Sequence, residues 1–452
     1  MRPNLSSGPE EMKNLHAETG VPTVNSERAN RSTVAIDHAA VVLLLILSGN
    51  QVVTMQGRSE IAIVLVSLLI ASLFMVRGQP IISVRPLFVM LGFLIIFAAQ
   101  GILFTFFPLI TVTGFLLKVF IGYSVVRLVR NFPLVYVRVT AFLCLVSLCF
   151  FVPASIFSNW GIDIRRFFEP LQRLSGVQGD YHILIHNFDT ITVGYMRNSS
   201  FFWEPSAFAI YLILSILFLG MVRDQLKKKT YIYLLFLISG TLFTTFSTAG
   251  FVLFPLAVST HIRLRSVNRH EVVKDGLKVS VIVCVLLLFV AGFGQKKFLG
   301  EKIRQQYQHV QNRSPRWDKT RLGTFVFDLE YIRKEPFFGW GIHSQTRYSL
   351  HPYKAISGHG SDFSGLLARF GVFGFLLYLT TVYWGVFALK DGKLFSSAII
   401  TLVIMASLFS QAFLNFPMYL SLMFLGMDKW AVVSRAPGIA GFRLQIISAG
   451  FP

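Results

Sequence analysis

Long apolar runs dominate the 452-residue sequence and limit the folds that it can adopt. The hydrocarbon layer of a membrane is about 30 Å thick, so a helix needs about 20 apolar residues to cross it. Because backbone in lipid must satisfy its own hydrogen bonds, and the runs do not alternate as barrel strands do, the spans are predicted to be helical. The candidate spans are residues 34–50, 60–76, 86–105, 109–126, 139–157, 201–222, 231–246, 249–262, 279–293, 366–389, 394–413 and 416–433.

The composition excludes the other broad classes of protein. Hydrophobic residues make up 54% of the chain and charged residues 14%, whereas a soluble domain carries about 25% charged residues. A disordered chain combines high net charge with low hydrophobicity, and this chain is not of that kind. Cys144, Cys149 and Cys284 all stand in apolar runs and predict neither a disulfide framework nor a thiolate metal site. The predicted fold is an all-α polytopic integral membrane protein with about twelve transmembrane helices.

The basic residues are distributed so that they orient the spans. The chain carries 42 Lys and Arg against 22 Asp and Glu, a net charge of +20. Nineteen of the Lys and Arg fall in one alternate set of short loops and at or beyond the end of the last span, whereas the opposite short loops hold only Arg58. Because basic loops stay cytoplasmic, both termini are predicted to be cytoplasmic. The two long loops then lie on the outer face.

This topology divides the chain into seven parts. They are a disordered cytoplasmic tail (1–33), helices 1–5 (34–157), an outer loop (158–200), helices 6–9 (201–293), a large basic outer loop (294–365), helices 10–12 (366–433) and a second cytoplasmic tail (434–452). The large loop holds twelve Lys and Arg against six acidic residues. It therefore presents either a solvated basic surface or an anion-binding one.

An amphipathic helix is predicted inside the large outer loop, between Asp318 and Pro336. Its apolar stripe is expected to lie on the helix bundle or in the lipid interface. Proline ends the pattern, because it cannot continue a helix. The stripe consists of Leu322, Phe325, Val326, Leu329 and Ile332.

Two motifs place charged residues beside the predicted spans. Arg197 and the pair Glu204-Pro205 stand at the outer mouth of the sixth span, and Arg321 stands fifteen residues before Pro336. Glu before Pro is a favourable helix start, and an arginine at this depth can serve as an interfacial anchor. An ionisable residue at a span mouth is equally a candidate site residue.

A third motif is a polar loop around His359 that runs into Leu-Leu-Ala-Arg-Phe-Gly at the tenth span. Pro336 opens a Pro-Phe-Phe-Gly-Trp-Gly turn upstream of it. The plain interpretation of His359 is a surface residue in a glycine-rich loop. Its functional interpretation is a base near neutral pH, because histidine has the unperturbed pKa that such a base requires. His343 and His351 are weaker candidates for the same role.

The order of these motifs and the topology resemble the bacterial O-antigen polymerase and O-antigen ligase superfamily over residues 190–380. The resemblance implies a C-type glycosyltransferase architecture with a large periplasmic loop, in the bacterial inner membrane. It implies a donor glycan carried on undecaprenyl pyrophosphate and transfer on the periplasmic face. The segment Trp203-Glu204-Pro205-Ser206 favours a polymerase, with another lipid-linked repeat unit as acceptor.

The resemblance also implies roles for individual residues. Arginines are expected to hold the donor pyrophosphate, and His359 is expected to lie near the acceptor. Arg369 stands where the family often has an acid, so it is assigned as a further phosphate contact. The candidate catalytic residues are His359 and Glu204, and the candidate pyrophosphate-binding residues are Arg197, Arg321, Arg347 and Arg369.

Elementary chemistry supports arginine in this role. A departing pyrophosphate gains charge in the transition state, and fixed cations stabilise it, so no metal or other cofactor is predicted. Arginine offers bidentate contacts and stays charged. Expected partners are the lipid-linked oligosaccharide, membrane lipids and a polysaccharide chain-length regulator, while nucleic acid is not expected because the basic residues lie in short cytoplasmic loops or outside the cell.

The sequence leaves three other functions open. A ligase differs from a polymerase only in its acceptor, which is the lipid A core. A transporter or flippase of lipid-linked sugars needs an ionisable group within the membrane, and Lys118 in the fourth span fits that need. A scaffold protein would use the basic loop to dock an acidic partner without chemistry.

Overall fold

The computed structural model describes about two thirds of the chain. The described ranges are 24–50, 59–76, 84–157, 195–261, 320–351, 361–390 and 393–427, with Ile81 and short pieces between 163 and 192 and between 304 and 312. The predicted ninth span, 279–293, and His359 lie outside the described residues.

The described residues are mostly helical, as the apolar runs predict. The first half holds α1 (Val24–Gly49), α2 (Ser59–Val76), α3 (Val84–Leu103), α4 (Leu109–Leu128) and α5 (Phe132–Ile156). Next come α6 (Pro205–Met221), α7 (Lys228–Thr244), α8 (Thr248–Ser259), α9 (Arg321–Lys334) and α10 (Ser344–Arg347). The last three are α11 (Asp362–Leu389), α12 (Leu394–Ser407) and α13 (Pro417–Ser421).

Two short antiparallel strand pairs lie in the predicted outer loop 158–200. Strand β1 (His182–Ile183) pairs with β2 (His186–Asn187), with His182 opposite Asn187. Strand β3 (Ile191–Thr192) pairs with β4 (Tyr195–Met196), with Ile191 opposite Met196. These hairpins end two residues before Asn198 and lead the chain to the start of α6.

Within the described ranges, four helices are long and apolar enough to cross a membrane. They are α3 from Pro86, α4, α5 and α11. Shorter apolar helices match the predicted spans at α1, α2, α6, α8 and α12. Side chains such as Leu68 and Phe88 are more than half exposed, as expected for surfaces that face lipid rather than water. The chain therefore has the character of a membrane protein, while the count of twelve spans and the orientation of the termini remain predictions.

Helix α6 forms the centre of the bundle. Every residue from Pro205 to Leu219 is buried, and the helix packs against α8, α5, α7 and α12. A helix that is apolar all round suits either lipid or a protein interior, and the packing of α6 places it in the interior of the bundle. Its N-terminal end is consequently held in a fixed position by its neighbours.

The predicted twelfth span, 416–433, is not one long helix in its described part. After α13 the chain forms a single 3-10 turn, Leu422–Phe424, and Gly426 then adopts a left-handed conformation with φ +66°. Residues 417–425 are buried, and α13 packs against α4. Irregular backbone is tolerated at membrane depth where protein surrounds it, so the apolar sequence here reflects burial in the bundle.

Two other boundaries differ from the predictions. Helix α1 begins at Val24, so it includes ten residues of the predicted disordered tail. Helix α9 occurs where the amphipathic pattern predicts it, but its buried residues are Gly323, Thr324, Phe327, Asp328 and Tyr331. The predicted stripe residues Leu322 and Val326 are 39% and 42% exposed. Leu322 and Val326 therefore do not lie in the buried interface of α9.

Helix α11 is kinked at Gly371, which has φ +65° and ψ −169°. The loop after α9 crosses the kink and satisfies its backbone groups. The Val372 amide donates to the carbonyl of Pro336 at 2.8 Å, and the Trp340 amide donates to that of Ala368 at 2.9 Å. The kink therefore fixes the polar end of α11 against the segment that follows α9.

Replacing Gly371 with alanine is expected to destabilise the protein by roughly 2 to 3 kcal/mol. A Cβ atom there would lie 2.0 Å from the carbonyl oxygen of Phe337, and the residue would keep a left-handed φ. Thermal unfolding of the detergent-solubilised protein measures the effect. Gly114→Ala in α4 is the matched control, because a Cβ at Gly114 meets nothing within 4 Å. Equal melting temperatures for the two variants would contradict the expectation.

Candidate active site

Glu204 and Arg321 meet at the N-terminal end of α6. Glu204 is the residue before Pro205, which occupies the first turn of α6, and Arg321 is the first residue of α9. The Nη2 atom of Arg321 lies 3.6 Å from Oε1 of Glu204. The two side chains are 30% and 39% exposed, so solvent and ligands reach the pair. Although Glu204 is the N-cap residue of α6, its side chain makes no capping hydrogen bond.

Arg197 lies beside this pair and is buried. Its Nε atom donates to the carbonyl oxygen of Thr245, at the end of α7, at 3.0 Å. The next residue, Asn198, anchors the loop by donating through Nδ2 to the hydroxyls of Thr244 at 3.0 Å and Ser147 at 3.2 Å. The Arg197 side chain is thus placed by the C-terminal end of α7, and the residue after it is anchored to both α7 and α5.

Burial and the neighbouring charges shift the pKa values of Arg197 and Arg321. Burial lowers the pKa of Arg197 below the ordinary arginine value, while Glu204 raises it and Arg321 lowers it further. Burial also lowers the pKa of Arg321, and Glu204 opposes that shift. Arginine stays protonated at physiological pH in spite of such shifts. The cluster of Arg197, Glu204 and Arg321, called the arginine site below, therefore carries two positive charges and one negative charge.

Gln411 completes the arginine site and was not predicted from the sequence. It lies between α12 and a 3-10 turn, Phe413–Asn415. Its Nε2 atom donates to Oε1 of Glu204 and to the hydroxyl of Ser206, the latter at 3.0 Å. The available signal was an amide residue within the apolar run predicted to span 394–413, since polar residues in such runs are unusual.

Aromatic side chains line the same end of α6. Trp203 is half-buried and packs against Phe416, with ring centroids 5.0 Å apart, and against Phe413 at 6.2 Å. Trp203 is the residue directly before Glu204 in the sequence. The residue next to Glu204 is thus packed on aromatic rings of the segment that follows α12.

Arg347 lies apart from the arginine site, in a buried ion pair. It contacts Asp328 of α9, and the two side chains are 2% and 0% exposed. The hydroxyl of Ser364 in α11 donates to Oδ2 of Asp328 at 2.6 Å. The Arg347 guanidinium also stacks over Tyr331, 4.8 Å from the ring centroid. Asp328 consequently ties α9 to both α10 and α11.

Arg369 forms a second buried ion pair, with Asp362 in the same helix. Its Nη1 atom donates to Oδ1 of Asn415 at 2.7 Å, and its Nε atom donates to the carbonyl of Gly365 at 3.0 Å. A phosphate would have to displace these partners to bind. Of the four predicted pyrophosphate-binding arginines, the structure brings together Arg197 and Arg321 and places the other two in buried ion pairs.

The described histidines of the large loop have polar partners. His351 Nε2 lies 3.0 Å from Oε2 of Glu330, and His343 Nδ1 accepts from the amide of Gln345 at 3.3 Å as the N-cap of α10. Lys118 is half-buried in α4. Across the described part of the chain, no group of three or more His, Cys, Asp or Glu residues is placed to hold a metal ion.

The comparison with known families matches residues 233–379 to the family described as O-antigen ligase. The match covers about a third of the chain, from α7 into α11, and includes Arg321, Arg347 and Arg369. Arg197 and Glu204 precede it. No curated protein matches the chain. Over residues 233–379 the chain is thus similar to the O-antigen ligase family, within the stretch where its motifs resemble the O-antigen polymerase and ligase superfamily.

Proposed function

We propose that this protein is an O-antigen or related surface-polysaccharide polymerase that binds a polyprenyl pyrophosphate at the arginine site. One observation carries the proposal: Arg321 pairs with Glu204 at a partly exposed position, and Arg197 is close enough to interact electrostatically with both. The match of residues 233–379 to the O-antigen ligase family supports it. The arginine site has a net positive charge, and a diphosphate group is negatively charged. Two guanidinium groups with a positive excess suit it, because arginine makes bidentate contacts to phosphate.

The proposed reaction transfers a growing glycan from the carrier to a sugar hydroxyl of another lipid-linked repeat unit. The hydroxyl oxygen bonds to the anomeric carbon, the bond from that carbon to the pyrophosphate oxygen breaks, and the hydroxyl proton passes to a base. Arg197 and Arg321 stabilise the charge that develops on the leaving pyrophosphate. His359 is the candidate base, and Trp203 offers an apolar surface at the same place.

The location follows from the same proposal. The arginine site lies at the periplasmic face of the bacterial inner membrane, where the lipid-linked donor is presented. Undecaprenyl pyrophosphate-linked oligosaccharide is the donor, membrane lipids surround the bundle, and a chain-length regulator is a candidate partner. The fixed arginines supply the positive charge that the leaving group requires, so the proposed transfer is metal-independent.

A ligase is the second candidate function, and the description of the matching family favours it. The two functions differ in the acceptor. The lipopolysaccharide of a deletion strain separates them on a gel. Loss of a polymerase is expected to leave lipid A core bearing one repeat unit, whereas loss of a ligase leaves bare core and polymer stranded on the carrier. An unchanged ladder in the deletion strain would contradict both functions.

A further inference from the structure

Glu204 occupies the place of an anion in the arginine site. Its carboxylate lies 3.6 Å from the Arg321 guanidinium and acts electrostatically on Arg197. It is the N-cap residue of α6, yet it does not bond to the amides of that helix end. The side chain is therefore directed to the cations instead of to the helix that begins beside it.

The carboxylate also has a second, neutral partner. Gln411 donates to the same Oε1 atom that faces Arg321, and it bonds to Ser206 as well. Because Gln411 keeps a hydrogen bond to Glu204 when Arg321 turns to another anion, the displaced carboxylate is not left without a donor. The surrounding site is partly exposed, so the displaced group also remains hydrated.

We propose that Glu204 is a resident counter-ion of the arginine site, which competes with the diphosphate of the substrate and promotes release of the product carrier. This inference rests on the proposed function. After transfer, the product still carries its diphosphate, and a site with two arginines and no competing anion would retain it. Glu204 re-forms its contact with Arg321 as the product leaves, and Gln411 positions it for that return.

The competition has a measurable consequence for anion affinity. Removing one negative charge a few ångströms from a half-exposed guanidinium is expected to tighten binding of a diphosphate roughly three- to tenfold. The gain is expected to shrink as salt rises, because screening weakens interactions between partly exposed charges. Turnover is expected to fall at the same time, since product release becomes slower. A general base outside the arginine site behaves differently: its loss lowers turnover without any gain in affinity for the anion.

The test measures binding of inorganic pyrophosphate to the purified full-length protein in detergent. Glu204→Gln keeps the shape of the side chain and removes its charge, and Glu204→Ala removes the same charge without an amide. Both are expected to bind pyrophosphate at least threefold more tightly than the unmodified protein. Glu330→Gln is the matched control, because Glu330 is another exposed carboxylate with a cationic partner, 3.6 Å from Lys334. Its affinity for pyrophosphate is expected to stay unchanged.

The outcomes separate this inference from the proposed function. If the unmodified protein binds pyrophosphate through Arg321 but neither Glu204 variant binds it more tightly, the counter-ion role is wrong and the anion site stands. If neither the unmodified protein nor the Glu204 variants bind pyrophosphate, both the counter-ion role and the proposed diphosphate site are overturned. Tighter binding by the Glu204 variants, with Glu330→Gln unchanged, supports both.

Discussion

Arg321→Ala is expected to abolish chain growth while the protein remains in the membrane. Removing one preorganised donor from a developing oxyanion costs about 10²- to 10³-fold in rate, and Arg321 is half of the positive charge in the arginine site. Arg197→Ala is expected to have the same effect, since Arg197 supplies the other positive charge of the site, beside Glu204 and Arg321. The measurement is transfer between lipid-linked repeat units in membrane vesicles, together with the lipopolysaccharide ladder of cells that carry each variant.

The matched control for Arg321→Ala lies on the same helix. Arg333 is exposed in the last turn of α9, so Arg333→Ala removes the same charge away from the arginine site. It is expected to leave the ladder normal. Arg321→Lys keeps the charge but loses the bidentate fork, and its activity is expected to fall between the two. Normal ladders from both Arg197→Ala and Arg321→Ala would overturn the pyrophosphate assignment.

The helices were largely predictable because lipid imposes a simple rule. An apolar run long enough to cross the membrane must satisfy its backbone internally, so hydropathy alone locates most of the described helices. Hydropathy does not separate a span from a buried irregular segment. Residues 417–425 are apolar and buried, yet the chain there forms a short helix and a 3-10 turn packed on α4.

The orientation of α9 shows a second limit of sequence patterns. The periodic apolar residues predict a helix, and the helix is present. The face against the bundle is nevertheless the one that carries Asp328, because its ion pair with Arg347 and its bond to Ser364 hold that face inward. A hydrophobic pattern alone does not contain those partners, which lie 19 and 36 residues away.

The arginine site was predictable only in part, because some of its residues are close in sequence and others meet through tertiary packing. Arg197 and Glu204 are close in sequence and stand at a span mouth, so local reasoning singles them out. Arg321 joins them across more than a hundred residues, and only its motif indicated a role. Gln411 joins the site from the segment after α12, through tertiary packing. Arg347 and Arg369 carry the same charge as the site arginines, and only the structure distinguishes them by pairing each with a buried aspartate.

Asp328→Ala is expected to destabilise the protein by about 3 to 5 kcal/mol. The variant leaves the Arg347 guanidinium buried without its carboxylate, and it also removes the acceptor of Ser364. Burying a charge without a partner is costly, whereas an exposed charge costs little to lose. The melting temperature in detergent and the amount of folded protein recovered from membranes measure the loss. Because Asp328 holds α9 in place, any folded fraction is also expected to transfer glycan poorly.

Two further variants test whether the loss of stability comes from breaking the ion pair or from any substitution in α9. Glu330→Ala lies two residues away on the same helix but is exposed, so its effect is expected to stay within about 0.5 kcal/mol. Combining Asp328→Ala with Arg347→Met removes both buried charges, and this double variant is expected to recover part of the stability, because an apolar pair can replace a buried ion pair. A double variant that is less stable than Asp328→Ala alone would show that Arg347 contributes through Tyr331 and its other contacts. An Asp328→Ala protein as stable as Glu330→Ala would mean that the ion pair does not hold α9 to the bundle.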